Sequence, residues 1–397
     1  MNQIIIIGAG VIGLSQALYL LDKGLRITLV DKYLSPDKIF KFTPKEYDTR
    51  VFALTPQTIN FLQEIGVWEG VQNKRTCPYV HMTVWDGRGS GQIEFDATSL
   101  KVPKLGHIVE QSIILEALLE RAKQHIEWGN LTWLVQEPVE LLQTSEAFSS
   151  LKLADGSIIK AQLIIGADGA DSWLRREAGI SVQAQSYYQT ALVATIQSEK
   201  PHQYTAYQRF SEGGPLALLP LSDEHKLSIV WTQPTSVSKE LQALSDLEFN
   251  QTLTAFSENK LGKLALVGER KSFSLKNFQA QSYGANRVVL IGDSAHVIHP
   301  LAGLGANLGF QDAMSLGALL IRQHEQKRDL GSNRLIQRYY RERIAQNEAM
   351  RYSMTLFNNL FISKNPMVKF LRNWGMDKVN NFNTIKKWFA SQAMGLS

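Results

Sequence analysis

Three glycines, Gly8, Gly10 and Gly13, are spaced as they must be where a backbone turns tightly and closes on an anion. Gly8 permits the turn, Gly10 lets the backbone approach a pyrophosphate, and Gly13 allows a helix to pack closely on a strand. Asp31 follows about twenty residues later, where it can accept hydrogen bonds from ribose hydroxyls. The chemistry this set points to is dinucleotide binding. By itself the set does not separate NAD from FAD.

The elements around it are those the chemistry needs. Ile4-Ile5-Ile6-Ile7 reads as a fully buried parallel strand. Leu14, Ala17, Leu18 and Leu21 fall at helical spacing and predict an amphipathic helix, whose N-terminus would aim free N–H groups and a positive dipole end at the phosphates. Gly24 stands where a helix C-terminal glycine belongs. Residues 27–30 then read as a second strand, ending at Asp31.

Two later stretches repeat the pattern of an apolar strand running into glycine and acid. Leu163-Ile164-Ile165 leads into Gly166-Ala167-Asp168-Gly169-Ala170-Asp171-Ser172-Trp173-Leu174-Arg175. Val288-Val289-Leu290-Ile291 leads into Gly292-Asp293-Ser294-Ala295-His296, then His299-Pro300-Leu301-Ala302-Gly303-Leu304-Gly305-Ala306-Asn307 and on to Asp312. Asp48-Thr49-Arg50 precedes a helix predicted to be capped by Thr55, with Pro56 at its first position. Arg50 reads either as a surface residue or as a cofactor contact. His296 and His299 lie three apart, but Pro300 breaks the segment and no third ligand is near, so no metal is expected and His296 reads as a packing or phosphate-neighbour residue.

The three motifs in order resemble those of the group A flavoprotein aromatic monooxygenases and, more narrowly, the ubiquinone-biosynthesis hydroxylases. Within these the best match is the member acting on a polyprenylphenol ring. Trp85-Asp86, Leu105-Gly106-His107-Ile108-Val109-Glu110, residues 191–196, Leu219-Pro220-Leu221-Ser222-Asp223 and Gln392-Ala393-Met394-Gly395-Leu396 carry the resemblance over nearly the whole chain.

It implies FAD as cofactor and NADPH or NADH as electron donor. Asp168, Gly169 and Arg175, with Ser172, would contact FAD and the nicotinamide pyrophosphate. Arg50 would reach a phosphate or ribose. Gly292 and Asp293 would hold the ribityl chain. The Pro300 to Gly303 turn would lie against the isoalloxazine ring, with Gly305 and Asn307 beside it and backbone N–H groups near the flavin N1–C2=O edge, where reduction places negative charge. Oxygen transfer would run through a flavin C4a-hydroperoxide. No general base is evident. One departure stands out: Leu304 occupies the position of the family's usual glutamine and cannot hydrogen-bond. Two other readings stay open, an FAD-dependent isoprenoid reductase and a non-catalytic FAD-binding member of a quinone-biosynthesis complex.

The expected fold class is α/β: a Rossmann-like, GR2-type FAD-binding domain, a β-sheet substrate domain and a C-terminal helical region. The discontinuous FAD domain would comprise residues 1–80, 96–180 and 274–330. The substrate domain would comprise 81–95 and 181–273, with a hairpin around Asp86-Gly87-Arg88-Gly89 and strands at 217–219 and 227–231 roofing the flavin. Residues 331–397 would be helical.

Composition fits this: 397 residues, 44% hydrophobic, 20% charged, enough for more than one core. The single cysteine, Cys77, excludes an internal disulfide and any cysteine-rich metal site. No signal peptide or membrane-spanning run is expected. The excess charge of +5 is carried by 361–397, where Lys364, Lys369, Arg372, Lys378, Lys386 and Lys387 face only Asp377. Met367, Phe370, Leu371 and Trp374, then Ile385, Trp388 and Phe389, form apolar stripes there. Those stripes suit an interfacial helix or one packed on the flavin domain. The expected setting is cytoplasmic, with peripheral contact at the inner membrane through this tail. A polyprenylphenol-like lipid is the expected substrate, a quinone-biosynthesis protein complex a further partner, and nucleic acid is not one.

Overall fold

The computed structural model describes residues 3–38, 46–143, 145, 147–184, 188–297 and 305–362. Ile4–Ile7 is the central strand, fully enclosed in the core. It pairs in parallel with Ile27–Asp31 on one side and Leu163–Gly166 on the other. Leu131–Val135 extends the sheet beyond the first, Val288–Leu290 beyond the second, and Gly284–Ala285 closes that edge antiparallel. The chain thus runs outward from Ile4–Ile7 in one direction and later returns to its other flank. The order reverses between Ile4–Ile7 and Leu163–Gly166, the place where an open parallel sheet leaves a crevice beyond its carboxyl ends.

The helix Val11–Leu21 buries Leu14, Ala17, Leu18 and Leu21 as the spacing predicts, but Ser15, Gln16 and Leu20 are buried too. It is less amphipathic in its setting than in its sequence, because the helices Gln111–Glu127 and Gly305–Glu325 both pack on it. The second of these approaches through a stripe of small residues, Gly309, Ala313 and Gly317. A Cβ on Gly317 would stand 2.3 Å from the Tyr19 ring, and one on Gly309 would stand 2.9 Å from Ile12. Glycine is required at both for this approach. Gly24 takes φ +82° and ends the first helix, and Thr55 caps Pro56–Glu64 by accepting from the Thr58 N–H.

A seven-stranded sheet forms the second layer, in the order Leu264–Ser274, Gln189–Ser198, Lys226–Pro234, Leu216–Pro220, Thr205–Phe210, His81–Asp86, Gln92–Asp96. The last two form the hairpin, Met82 opposite Phe95 and Val84 opposite Ile93. Alternation gives the sheet two faces. Leu192, Leu218, Ile229 and Trp231 point outward and pack on Leu241, Phe249 and Leu253 of two helices, each such side chain contributing about 1.5–3 kcal/mol by burial. Ala206, Ala217 and Leu219 point inward, against Val51, Ala53 and Ile108 of a small sheet made by Val51–Leu54, Gly106–Glu110 and Thr76–Tyr79.

The helix Asn333–Ile362 ties the layers together. Near its start the Tyr339 hydroxyl donates to the Leu290 carbonyl (3.1 Å). Near its end Phe361 stacks on Phe210 of the seven-stranded sheet, with ring centroids 4.1 Å apart. Among the described residues no helix is long and apolar enough to cross a membrane. The architecture is α/β: a Rossmann-like FAD-binding fold, a β-sheet layer and a helical C-terminal part. The stripes and cations of 363–397 lie outside the described residues.

Candidate functional site

The crevice at the order reversal is where the sequence motifs meet. Gly8 leaves the central strand with φ +101°, and a Cβ there would stand 2.4 Å from the Ala167 carbonyl oxygen. Its N–H donates to Val30 O, and Ala167 N–H donates to Ile7 O, so the glycine turn and the Asp168 turn are sewn to neighbouring strands. A Cβ on Gly13 would fall 1.9 Å from the Gly8 carbonyl oxygen. At Gly10, by contrast, nothing lies within 4 Å of that position. The first helix therefore starts with no side-chain cap and no acid in its first turn, its positive end facing open space.

Asp31 is half-buried at the end of its strand. Its Oδ2 accepts from Ala9 N–H (2.7 Å) and its Oδ1 from Tyr33 and Leu34 N–H (2.8 and 2.7 Å). A carboxylate offers about four acceptor sites, so capacity for a further donor remains after it has fixed the glycine turn.

Asp168 sits at the next strand end. Its Oδ2 accepts from Leu174 N–H (3.1 Å), and its Oδ1 is buried with no partner among the described residues. Gly169 takes φ +83°. Ser172 caps the helix Trp173–Glu177 by accepting from Arg175 N–H. The Arg175 guanidinium turns inward, donating to Ser294 O (2.8 Å) and Ala170 O (2.9 Å) over the Phe278 ring. It bolts the Asp168 turn to the Asp293 turn, and burial lowers its pKa.

Gly292 takes φ +60° and lies against Ile12 of the first helix. The Ser294 hydroxyl contacts Gly166 O and Ile291 O at 2.7 and 2.8 Å. The Asp293 carboxyl is open to solvent yet crowded by protein, as a group in a narrow cleft is. That crowding raises its pKa, and the positive charge of Arg50 works against the rise. Arg50 itself is exposed, on a segment held by a buried brace. Glu110 accepts from Asp48 N–H (2.7 Å) and from Arg75 Nε (2.9 Å), while Asp48 accepts from Arg50 and Ser112 N–H. Burial pushes the Glu110 carboxyl up despite these bonds.

Asn307, near the start of Gly305–Glu325, spends its side chain on protein: Oδ1 accepts from Thr55 N–H (3.0 Å) and Thr58 Oγ1 (2.8 Å), and Nδ2 donates to Ala53 O (2.8 Å). It aligns the start of that helix with Val51–Leu54. Gly305 opens onto free space. His299, Pro300, Gly303 and Leu304 lie outside the described residues.

The sequence reading missed the polar lock beneath this turn. Asp312 is fully buried; its Oδ2 accepts from Gly292 N–H (2.9 Å) and meets His296 Nε2 at 2.6 Å, and its Oδ1 accepts from Arg343 Nε (2.7 Å). Burial alone would raise its pKa, but His296 and Arg343 overcome that and hold it at about 2. Arg343 also donates to Asn347 Oδ1 (3.0 Å), and Asn347 Nδ2 to the Tyr283 hydroxyl (2.9 Å). The available signal was Arg343 and Asn347 sharing a helical face four residues apart. His296 belongs to this lock. Among the described residues no three His, Cys, Asp or Glu side chains could hold a metal ion.

The residues present fit FAD. The open space at Gly10, the unpartnered Asp168 oxygen and the crowded Asp293 carboxylate line one crevice, as a long dinucleotide requires.

Comparison with known proteins agrees. Residues 1–352 match the family described as FAD binding domain. The chain is similar to the 3-demethoxyubiquinol 3-hydroxylase of Escherichia coli, 31% identical over 395 residues covering 100% of this chain and 99% of the relative. It is 29% identical to the ubiquinone hydroxylase UbiM of Neisseria meningitidis, covering 99% and 85%. In fold it is similar to the p-nitrophenol 4-monooxygenase PnpA of Pseudomonas putida (TM-score 0.77, 16% identity, 99% and 98% covered) and to Klebsiella pneumoniae HpxO complexed with FAD and uric acid (TM-score 0.74, 16%, 99% and 97%). A glycine-cradled crevice at a sheet reversal, matched over its length by these enzymes, makes this chain a member of the FAD-dependent monooxygenase family that contains the ubiquinone-biosynthesis hydroxylases.

Proposed function

We propose that this chain hydroxylates the aromatic ring of a polyprenylphenol-type ubiquinone precursor, with O2 as oxygen source and NADPH or NADH as electron donor. The observation that carries the reading is the placement of the crevice. Arg50 and Asp293 stand at one end of it, and Val51, next along the chain, packs against the small apolar side chains on the inner face of the seven-stranded sheet. A flat apolar ring fits such a wall, and a prenyl tail fits its continuation toward Phe210 and Phe361.

Gly8, Gly10 and Gly13 bring the first helix to the pyrophosphate, and Asp31 takes the adenosine ribose. Asp168, with Gly169 and Arg175 shaping its turn, offers its free oxygen to the cofactor. Asp293, set by Gly292, holds the ribityl chain, and Arg50 balances its charge. Pro300 and Gly303, outside the described residues, would lie beside the ring system, with Gly305 and Asn307 at the start of the helix that follows. Bound FAD supplies the electron transfer and oxygen activation. The protein orients the phenol and keeps water out.

In this reading residues 1–80, 96–180 and 274–330 bind FAD, 81–95 and 181–273 form the substrate domain, and 331–397 is the helical region. The basic tail gives peripheral contact with an anionic membrane or with a quinone-biosynthesis complex, where a lipid substrate would be delivered.

The test is the absorbance of the purified protein, followed anaerobically with NADPH or NADH, with and without a short-chain prenylphenol. The expected result is a bound flavin whose long-wavelength band bleaches faster with the phenol, and a hydroxylated ring after air is admitted. Hydride transfer to a carbon–carbon double bond without ring oxygenation would favour an isoprenoid reductase. Bound flavin that never turns over would favour a non-catalytic role.

A further inference from the structure

One cross-strand row runs through six strands on the inner face of the seven-stranded sheet: Ile93, Val84, Gln208, Ala217, Val230 and Val193, each opposite the next. Five are apolar. Gln208, at the middle, is the one polar side chain of the row and is only 4% exposed, and no hydrogen bond joins its carboxamide to another described residue. On neighbouring rows of the same face, the hydroxyls of Thr195, Ser228 and Thr232 are buried without partners among the described residues. To one side of Gln208, Val84 packs with Phe210 and Phe361; to the other, Ala217 packs with the small sheet of the FAD-binding part. Gln208 therefore stands between the cluster that reaches the long C-terminal helix and the cluster that reaches the cofactor-binding layer.

A carboxamide with no protein partner needs solvent or a ligand to complete its hydrogen bonds, and an aliphatic side chain in this row would avoid that need. A ligand that completes the amide's hydrogen bonds removes it. A carboxamide is neutral and both donates and accepts, so it complements a phenolic hydroxyl or another uncharged ring oxygen. It does not neutralise a carboxylate, and the row supplies no cation to do so.

We propose that Gln208 is a substrate-contacting residue that hydrogen-bonds a ring oxygen, and that it selects an uncharged phenol over a ring bearing a carboxylate. This rests on the hydroxylase reading above. The apolar row on either side fixes the ring plane against the sheet, and the amide sets its rotation within that plane. Rotation decides which ring carbon faces the flavin, so Gln208 governs regiochemistry as well as affinity.

The test uses the full-length, flavin-loaded protein and titrates the flavin spectrum with three probes: a short-chain prenylphenol, the matching prenylbenzene without oxygen, and the matching prenyl-4-hydroxybenzoate. In wild type the phenol binds tightest and the benzoate weakest. Gln208→Met keeps the volume but loses the amide, and should weaken the phenol about 10-fold, the loss of one buried hydrogen bond. Prenylbenzene affinity, FAD content and thermal midpoint should hold or improve, which a merely structural role would not produce. Gln208→Asn should recover part of the phenol affinity, and either variant should scatter the position of hydroxylation. Should Gln208→Met fail to retain FAD, Gln208→Leu carries the same comparison. Unchanged phenol affinity in a variant whose wild type hydroxylates the probe overturns the assignment while leaving the hydroxylase reading intact. A wild type that neither binds nor hydroxylates any phenol overturns that reading, and the assignment falls with it.

Discussion

The Arg343 guanidinium donates to the Asp312 carboxylate at 2.7 Å, in the buried interior between the helices Gly305–Glu325 and Asn333–Ile362. Through Gly292 N–H and His296, the same carboxylate sets the turn that carries Asp293. The C-terminal helix thus holds the Asp293 turn from behind.

Removing one partner of such a pair strands the other as a buried charge. Arg343→Met should therefore lower stability by about 3–5 kcal/mol and reduce FAD content. Arg343→Met with Asp312→Leu should lose less stability than the single variant, because no lone charge remains. Denaturant unfolding of both variants, with flavin absorbance as the second readout, checks this.

The steric limits at the glycine turn are sharper. A Cβ at Gly13 would lie inside the Gly8 carbonyl. Gly13→Ala should give protein purified without flavin, while Gly10→Ala, with open space around it, should leave the apoprotein as stable as wild type and weaken FAD only. Flavin-to-protein absorbance ratios and thermal midpoints separate the two outcomes.

Asp293 faces the crevice with its pKa raised by crowding. Asp293→Ala should weaken FAD about 10- to 100-fold, the scale of one or two charge-assisted hydrogen bonds, with little change in apoprotein stability. Fluorescence titration of the apoprotein with FAD measures it.

His107 supplies a pH signature. It is buried beside Trp68 with Nδ1 unpartnered, and burial, assisted by Lys104, lowers its pKa to about 4. The unfolded chain takes up this proton near pH 6.5, the folded one only near 4, so the unfolded state binds more protons in between. Stability from this group is present above about 6.5 and falls as pH drops toward 4, by about 2–3 kcal/mol. His107→Gln should flatten that part of the profile. Denaturant midpoints at pH 7 and 4.5 test it, and equal slopes for both proteins would contradict the assignment.

Much of the crevice at the sheet reversal was legible in the sequence because its determinants are local. The isoleucine run fixes a buried strand, and Gly24 and the Thr55-Pro56 pair mark helix ends by their own backbone needs. The locks were not legible, because they join positions far apart in the chain. Nothing near Asp312 announces that its counter-charge is Arg343, and nothing near Glu110 announces Arg75. The helix Val11–Leu21 looked amphipathic because periodicity shows which side is apolar, not that a second and third helix will cover the remainder. Gln208 gave no signal at all: one amide in an alternating strand gains meaning only when six strands align into a row.

The small-residue seam between Val11–Leu21 and Gly305–Glu325 sets a clock on biosynthesis. Its halves, Ile12 with Tyr19 and Gly309 with Gly317, are separated by nearly 300 residues of chain. At about 5–20 residues per second, a ribosome needs roughly 15–60 s to deliver the second half after the first has emerged. Over that interval the nascent N-terminal part exposes the apolar flank of its first helix and lacks the Asp293 wall of the crevice. If Asp293 holds the flavin as proposed, loading accordingly waits for the finished chain.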